Sequence, residues 1–170
     1  MQYYVLWYQL DSEQRFLLWV TDLDSDAKDH VLVDSSDFLL SFSDLSALVD
    51  YAKRHKIDLV DQKSPTLHNL DIISKWLDHP VPTEVDCIEM LNAWNLFLDI
   101  WQSVSNNRDT FRAFAEPNRD VYDKLFYGNN LPVINTSGQE YIPSWDADEI
   151  KVLCGVMSSG LAMLRSNLAH

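Results

Sequence analysis

The most suggestive spacing for chemistry belongs to three carboxylates that alternate along one short segment. Asp22, Asp24 and Asp26 begin like a calcium-binding loop, in which side-chain oxygens at alternate positions surround the ion. Such a loop also needs glycine at its sixth position and glutamate at its twelfth, where this chain has Ala27 and Val33. The segment is therefore interpreted as a solvated acidic loop, and we expect no bound metal.

The other residue types that carry chemistry show no catalytic pattern. The five histidines lack metal-ligand spacing, and Cys87 and Cys154 lie in apolar helical stretches typical of buried free thiols. Ser158 lacks the glycine context of a strained nucleophile turn, and the four glycines form no phosphate-binding loop. Paired carboxylates such as Asp58 and Asp61 could act as acid and base only within a suitable cleft. We therefore expect neither catalysis nor a cofactor.

Negative charge dominates the composition. The 170 residues include 26 Asp and Glu against 13 Lys and Arg, a formal net charge of −13, and residues 11–50 alone hold ten acids against two bases. Such a surface repels phosphates and attracts basic proteins, which argues against nucleic-acid binding. The sequence favours a basic protein partner, and the candidate contacts are Asp22, Asp24, Asp26, Asp29, Asp58 and Asp61.

Six tryptophans are many for a chain of this length. Trp94 and Trp101 lie seven residues apart on one predicted helix, a spacing that favours the core. Trp7 and Trp145 are open to either interpretation, because tryptophan beside acidic loops is also typical of interface hot spots. Both are therefore included among the candidate partner contacts.

The N-terminal part has a strand pattern. Two aromatic and β-branched runs within the first 22 residues are separated by a polar turn at 11–14, which predicts a hairpin with Leu10 opposite Arg15. Neither face is polar, so one face must cover a helical core while the other is covered by another element or by a partner. A third strand is expected within residues 30–33 or 38–42.

The rest of the chain has mainly a helical pattern. A buried central helix is expected near 84–104 with Thr83 as N-cap, and the hairpin should pack on it. The other expected helices begin after an N-cap at Ser43, span 70–77 and 118–127, and lie near 147–168 after a cap at Ser144 or Asp146. We expect one α+β domain, residues 1–170, in which a small antiparallel sheet packs against a mainly helical C-terminal part.

The sequence also carries expectations about location. The first residues have no basic start typical of a signal peptide. The uncharged stretch Val152–Leu164 is too short to cross a bilayer. We therefore expect a soluble, cytoplasmic protein without membrane contact, and a monomer or weak homodimer.

Three features together resemble a known class of proteins: the opening Tyr3-Tyr4-Val5-Leu6-Trp7-Tyr8, the acid cluster 22–37 and the helix at 43–56. In a small, acidic, cysteine-poor chain they resemble the CdiI-type immunity proteins of bacterial contact-dependent growth inhibition, which share no common motif. The resemblance implies binding of one cognate toxin domain, frequently a basic nuclease, whose active site is then blocked. Two alternatives stay open. One is an acidic adaptor or regulatory protein, and the other is a small hydrolase, which would need a pocket with perturbed titratable groups.

Overall fold

The computed structural model describes residues 1–22, 29–60, 65–105, 108–136 and 138–168. The fold is α+β, as predicted, with the sheet at the N-terminal end and helices after it. The strands are β1 (Gln2–Leu10), β2 (Glu13–Thr21), β3 (His30–Val31), β4 (Ser41–Phe42) and β5 (Leu67–Asn69). The helices are α1 (Leu45–Arg54), α2 (Leu70–Asp78), α3 (Cys87–Ser103), α4 (Arg108–Ala115), α5 (Arg119–Gly128) and α6 (Ala147–Ser166).

The sheet is mixed. Its strand order is β3-β2-β1-β5, and β4 also pairs with β2, so both segments proposed for a third strand form one. The strand β5 runs parallel to β1, which makes the prediction of a purely antiparallel sheet wrong. Three residues directly before a helix are too few to show the two-residue alternation of a strand, so β5 gave no signal in the sequence.

The hairpin turn is shorter than predicted. Leu10 pairs with Glu13 rather than Arg15, and the two turn residues, Asp11 and Ser12, both have positive φ (54° and 63°). The carboxylate of Asp71 on α2 accepts hydrogen bonds from both turn amides, at 2.6 and 3.0 Å. The register differs from the prediction by two residues, so every side chain keeps the face that was predicted for it.

Both faces of the hairpin are covered. On one face Tyr8 and Leu17 join the main hydrophobic core with residues of α3 and α6. On the other face Leu18 is fully buried, and α1, whose own Leu48 is fully buried, packs against β2. Helix α1 therefore covers the second face of the hairpin. The sequence had allowed either another element of the chain or a partner to cover it.

Aspartates cap the starts of three helices, α1, α3 and α6. Asp86 caps α3, while the predicted cap, Thr83, lies in a short 3-10 turn at Pro82–Glu84. Asp44 rather than Ser43 caps α1, and Asp146 caps α6 in a reciprocal capping box. An aspartate carboxylate accepts from the first helical amides and also opposes the helix dipole.

The central helix α3 is buried as predicted, with Trp94 and Phe97 almost fully enclosed, although Ile88 in its first turn is 53% exposed. Gly160 of α6 lies directly against the ring of Phe97, so α3 and α6 approach each other closely at this glycine. Helix α4, which was not predicted, packs against the same helix α6. No helix among the described residues is long and apolar enough to cross a membrane.

Candidate functional site

The predicted acidic contacts are only partly described. Asp24, Asp26 and Asp61 lie outside the described residues. Asp22 and Asp29 lie on either side of the undescribed segment 23–28, at one end of the sheet, and both are half-buried. The N-terminal amino group lies 3.7 Å from the carboxylate of Asp22. Asp58 is exposed and precedes Leu59, which forms a single parallel bridge with the start of β1.

The two candidate tryptophans have different surroundings. Trp7 stacks on Phe16 across the hairpin, with ring centroids 5.8 Å apart, and its buried indole N–H has no hydrogen-bond partner in the described structure. Trp145 is only 9% exposed, and the ammonium group of Lys124 lies 4.9 Å above its ring. Because Trp145 is almost wholly part of the core, we leave it out of the proposed interface.

The structure brings a second set of polar groups together, in a cleft between the sheet and α3. The cleft has a volume of about 290 Å³, which is near the lower limit for small-molecule sites. The sheet contributes Trp19 and His68, and α3 contributes Asp99. The other described residues that line it are Tyr4, Val5, Leu6, Thr66, Asn92, Asn95 and Leu96.

Asp99 is the only acid among these lining residues. Its Oδ2 accepts a hydrogen bond from the indole N–H of Trp19 at 2.9 Å, which also connects β2 to α3. Burial raises the pKa of this carboxyl to about 6. The bond from Trp19 opposes the rise, the nearby charge of Asp29 adds to it, and the charge of His30 partly offsets that of Asp29. At neutral pH the group is therefore mainly ionised, at a cost in free energy.

The other titratable group in the cleft is His68 on β5. Burial lowers the pKa of its imidazole, and Nδ1 is buried without a hydrogen-bond partner among the described residues. The imidazole is therefore neutral at physiological pH and does not compete with an outside cation for Asp99. Across the cleft, Asn95 accepts a hydrogen bond from the hydroxyl of Tyr122 at 2.8 Å, which fixes its side chain.

Sequence reasoning missed this cleft, although part of its signal was present. Asn92, Asn95 and Asp99 are spaced by three and four residues, so they form a polar stripe along one side of an otherwise apolar helix. Such a stripe on a buried helix indicates a polar contact or a cavity. Its partners on the sheet, Trp19 and His68, come from distant parts of the chain and could not be assigned from spacing.

A second unpredicted surface runs from the last two residues of α5 into the connection to α6; we call residues 127–142 the apolar loop. Glu140 is the only charged residue between Lys124 and Asp146. Val133 and Ile142 are 89% and 79% exposed. The other exposed large apolar side chains of the loop are Tyr127, Leu131, Ile134 and Tyr141, and a cavity of about 390 Å³ opens beside them. Exposed apolar clusters of this kind mark interaction surfaces.

The apolar loop is held in shape by asparagine side chains. Asn130 has a left-handed backbone (φ 50°), and its side chain donates to the carbonyl of Tyr141 at 2.9 Å and accepts from the amide of the same residue at 2.7 Å. Asn135 donates to the carbonyl of Gln139 at 2.6 Å. These bonds close the loop on itself, so a partner would meet a preorganised surface.

Among the described residues, no group of three or more His, Cys, Asp or Glu side chains could hold a metal ion. Comparison with known proteins finds no family model, no curated protein and no solved structure that matches this chain. The features that bear on function are therefore the cleft between the sheet and α3 and the apolar loop.

Proposed function

We propose that this protein is an immunity protein, which binds a basic toxin domain in the cytoplasm of the cell it protects and blocks the active site of that domain. The observation that carries the proposal is the crowding of negative charge at the cleft. Asp99 and Asp29 are close enough for one charge to raise the pKa of the other, and no Lys or Arg is among the described residues that line the cleft.

Electrostatics explains why a nuclease is the favoured type of toxin. A nuclease presents cationic side chains to hold the phosphates of its substrate, and carboxylates can occupy the same positions. The net charge of −13 supplies a long-range field for capture. Inhibition would then come from occupying the substrate-binding surface, without any chemical step.

The apolar loop supplies a second kind of contact. Charged groups mainly control the rate of association, whereas desolvated apolar and aromatic contacts mainly control the rate of dissociation. A strongly acidic protein with a preorganised apolar loop carries both elements. This combination favours a stable inhibitor over a purely electrostatic, salt-sensitive adaptor.

The test uses the protein encoded by the neighbouring gene, which the proposal requires to carry a toxin domain. The purified domain should be inhibited at a one-to-one ratio, and its association should slow as salt is added. Replacing Asp22, Asp24, Asp26 and Asp29 together by Asn should slow association about tenfold at low salt and flatten its salt dependence. A domain that remains fully active in the presence of excess protein would refute the proposal.

A matched control removes four charges elsewhere. The exposed residues Asp78, Glu84, Asp109 and Asp120 are replaced by Asn or Gln, which gives the same net charge without touching the acidic end of the sheet. An equal slowing in both quadruple variants would show that only net charge matters, which would remove this acidic surface from the interface. Circular dichroism and thermal unfolding verify that both variants remain folded.

A second candidate function, acid–base catalysis on a small substrate, is favoured by one observation. His68 and Asp99 line the same cleft, and burial shifts the pKa of each, as expected of an acid–base pair. No serine or cysteine is among the described lining residues. A defined turnover that is abolished by His68→Gln and by Asp99→Asn, but not by Asp78→Asn, would favour this function over inhibition.

A further inference from the structure

The carboxylate of Asp99 has acceptor capacity that the fold does not use. An ionised carboxylate can accept at about four lone-pair positions. Here Oδ2 accepts from Trp19, and Oδ1 has no hydrogen-bond partner among the described residues. If Asp99 served only to hold the indole of Trp19, the neutral amide oxygen of an asparagine would do so without the cost of a half-buried charge. The unused positions therefore suit a donor from outside the chain.

The surroundings of Asp99 select a cation over an anion. No Lys or Arg is among the described residues that line the cleft, and its histidine, His68, is kept neutral by burial. The charge of Asp29 raises the pKa of Asp99 and outweighs the charge of His30, which lowers it. A bound cation would be attracted by both carboxylates, whereas a phosphate or carboxylate ligand would be repelled by both.

The walls of the cleft select the shape of that cation. Tyr4 and Trp19 place two aromatic rings at its edge, with centroids 5.4 Å apart and planes tilted by 57°. A guanidinium group is flat, stacks on aromatic faces and donates several parallel hydrogen bonds to a carboxylate. The amide of Asn92 adds a further possible acceptor on α3.

We propose that this cleft binds the guanidinium group of an arginine side chain presented by the protein partner, with Asp99 as its acceptor and Tyr4 and Trp19 as its aromatic walls. A volume of about 290 Å³ suits one such side chain. This inference rests on the proposed function only in taking the arginine from a protein partner. The binding of a guanidinium group is inferred from the residues that line the cleft.

The experiment titrates the isolated, ¹⁵N-labelled protein with N-acetyl-arginine N-methylamide at pH 7.5. The indole N–H of Trp19, which donates to Asp99, gives a resolved signal at the site. We expect this signal and the amides of α3 from Asn92 to Asp99 to shift, with a dissociation constant on the order of 1 mM. The citrulline derivative, which has the same shape without the charge, should produce less than a tenth of the shift at equal concentration.

Two variants and one control locate the binding. Asp99→Asn should weaken binding at least tenfold, and Tyr4→Leu, at the half-exposed edge, about threefold. Asp78→Asn removes an equal charge at an exposed position outside the cleft and should bind like the unmodified protein. Equal binding of the citrulline derivative, or unchanged binding by folded Asp99→Asn, would overturn the proposal. If Asp99→Asn does not fold, the Tyr4→Leu result decides.

A further arm distinguishes a partner's arginine from a free metabolite. Agmatine carries the same guanidinium group on a small molecule. If the site receives an arginine side chain, agmatine should bind no more than about threefold tighter than N-acetyl-arginine N-methylamide. Agmatine binding a hundredfold tighter would overturn the assignment to a partner's side chain. Neither arm needs a toxin, so failure of the cleft chemistry is distinguishable from failure of the proposed immunity function.

Discussion

Replacing Asp99 by Asn should make the protein more stable at neutral pH. The carboxyl is raised from its ordinary pKa of 3.8 to about 6 in the folded state, chiefly by burial. At pH 7.5 it is ionised in both the folded and unfolded states, so the full cost of holding the charge in the fold is present. A rise of roughly 2 units corresponds to about 3 kcal/mol at 1.36 kcal/mol per unit. Asparagine keeps an oxygen for the indole of Trp19 and carries no charge.

The direction of the pH dependence follows from proton uptake. Between pH 3.8 and about 6 the folded state binds more protons at Asp99 than the unfolded state does. The stabilisation that protonation provides is therefore complete below the unfolded pKa and is lost as pH rises through about 6. The advantage of Asp99→Asn should reach up to about 3 kcal/mol at pH 7.5 and fall to about half of that at pH 5.

Urea unfolding at pH 5.0 and 7.5, followed by tryptophan fluorescence and circular dichroism, measures both values. Asp78→Asn is the matched control, because Asp78 is exposed and its replacement should change the unfolding free energy by less than about 0.5 kcal/mol. The reasoning would be refuted if Asp99→Asn lowered stability by 1 kcal/mol or more at pH 7.5, or if its advantage did not shrink at pH 5. Such a result would mean that the carboxylate is stabilised by contacts beyond Trp19.

The other predictions concern packing and the apolar loop. Gly160→Ala should lower the unfolding free energy by about 2–4 kcal/mol, because the added methyl group would collide with the fully buried ring of Phe97. Gly155→Ala should cost less in the same thermal or urea assay, because its methyl group meets Phe114, which is 40% exposed and can move. Ile142→Asp should leave stability within about 0.5 kcal/mol while speeding dissociation from the partner at least tenfold in surface plasmon resonance. Unchanged dissociation would exclude the apolar loop from the interface.

The local patterns of the sequence predicted a large part of the fold. Alternation along the first 22 residues assigned each hairpin side chain to its face, and helical spacing predicted α1, α3 and α6. These patterns are readable because they depend only on neighbours in the chain. The prediction of the hairpin turn was wrong because the turn depends on a residue that is distant in the chain. The amides of Asp11 and Ser12 are held by Asp71, about 60 residues away.

The candidate site was less accessible to sequence reasoning. The excess of acid near residues 11–50 drew attention to Asp29, but Asp99 lies 80 residues beyond the indole to which it is bonded. A carboxylate becomes unusual only through its surroundings, since burial rather than residue type raises its pKa. No pattern in the sequence indicated a function for the apolar loop, because exposed and buried apolar residues look alike in a sequence.

The double attachment of the hairpin turn has a consequence for the order of folding. Arg165 near the end of α6 donates two hydrogen bonds to the carboxylate of Asp11, at 2.9 and 2.7 Å, across a separation of 154 residues. Leu39 likewise pairs with Leu168. During synthesis the hairpin can form from local contacts alone, yet its turn can bond to Arg165 only after α6 has left the ribosome. The turn of the hairpin therefore reaches its final set of contacts only after α6 has formed, although the hairpin itself depends only on residues close together in the chain.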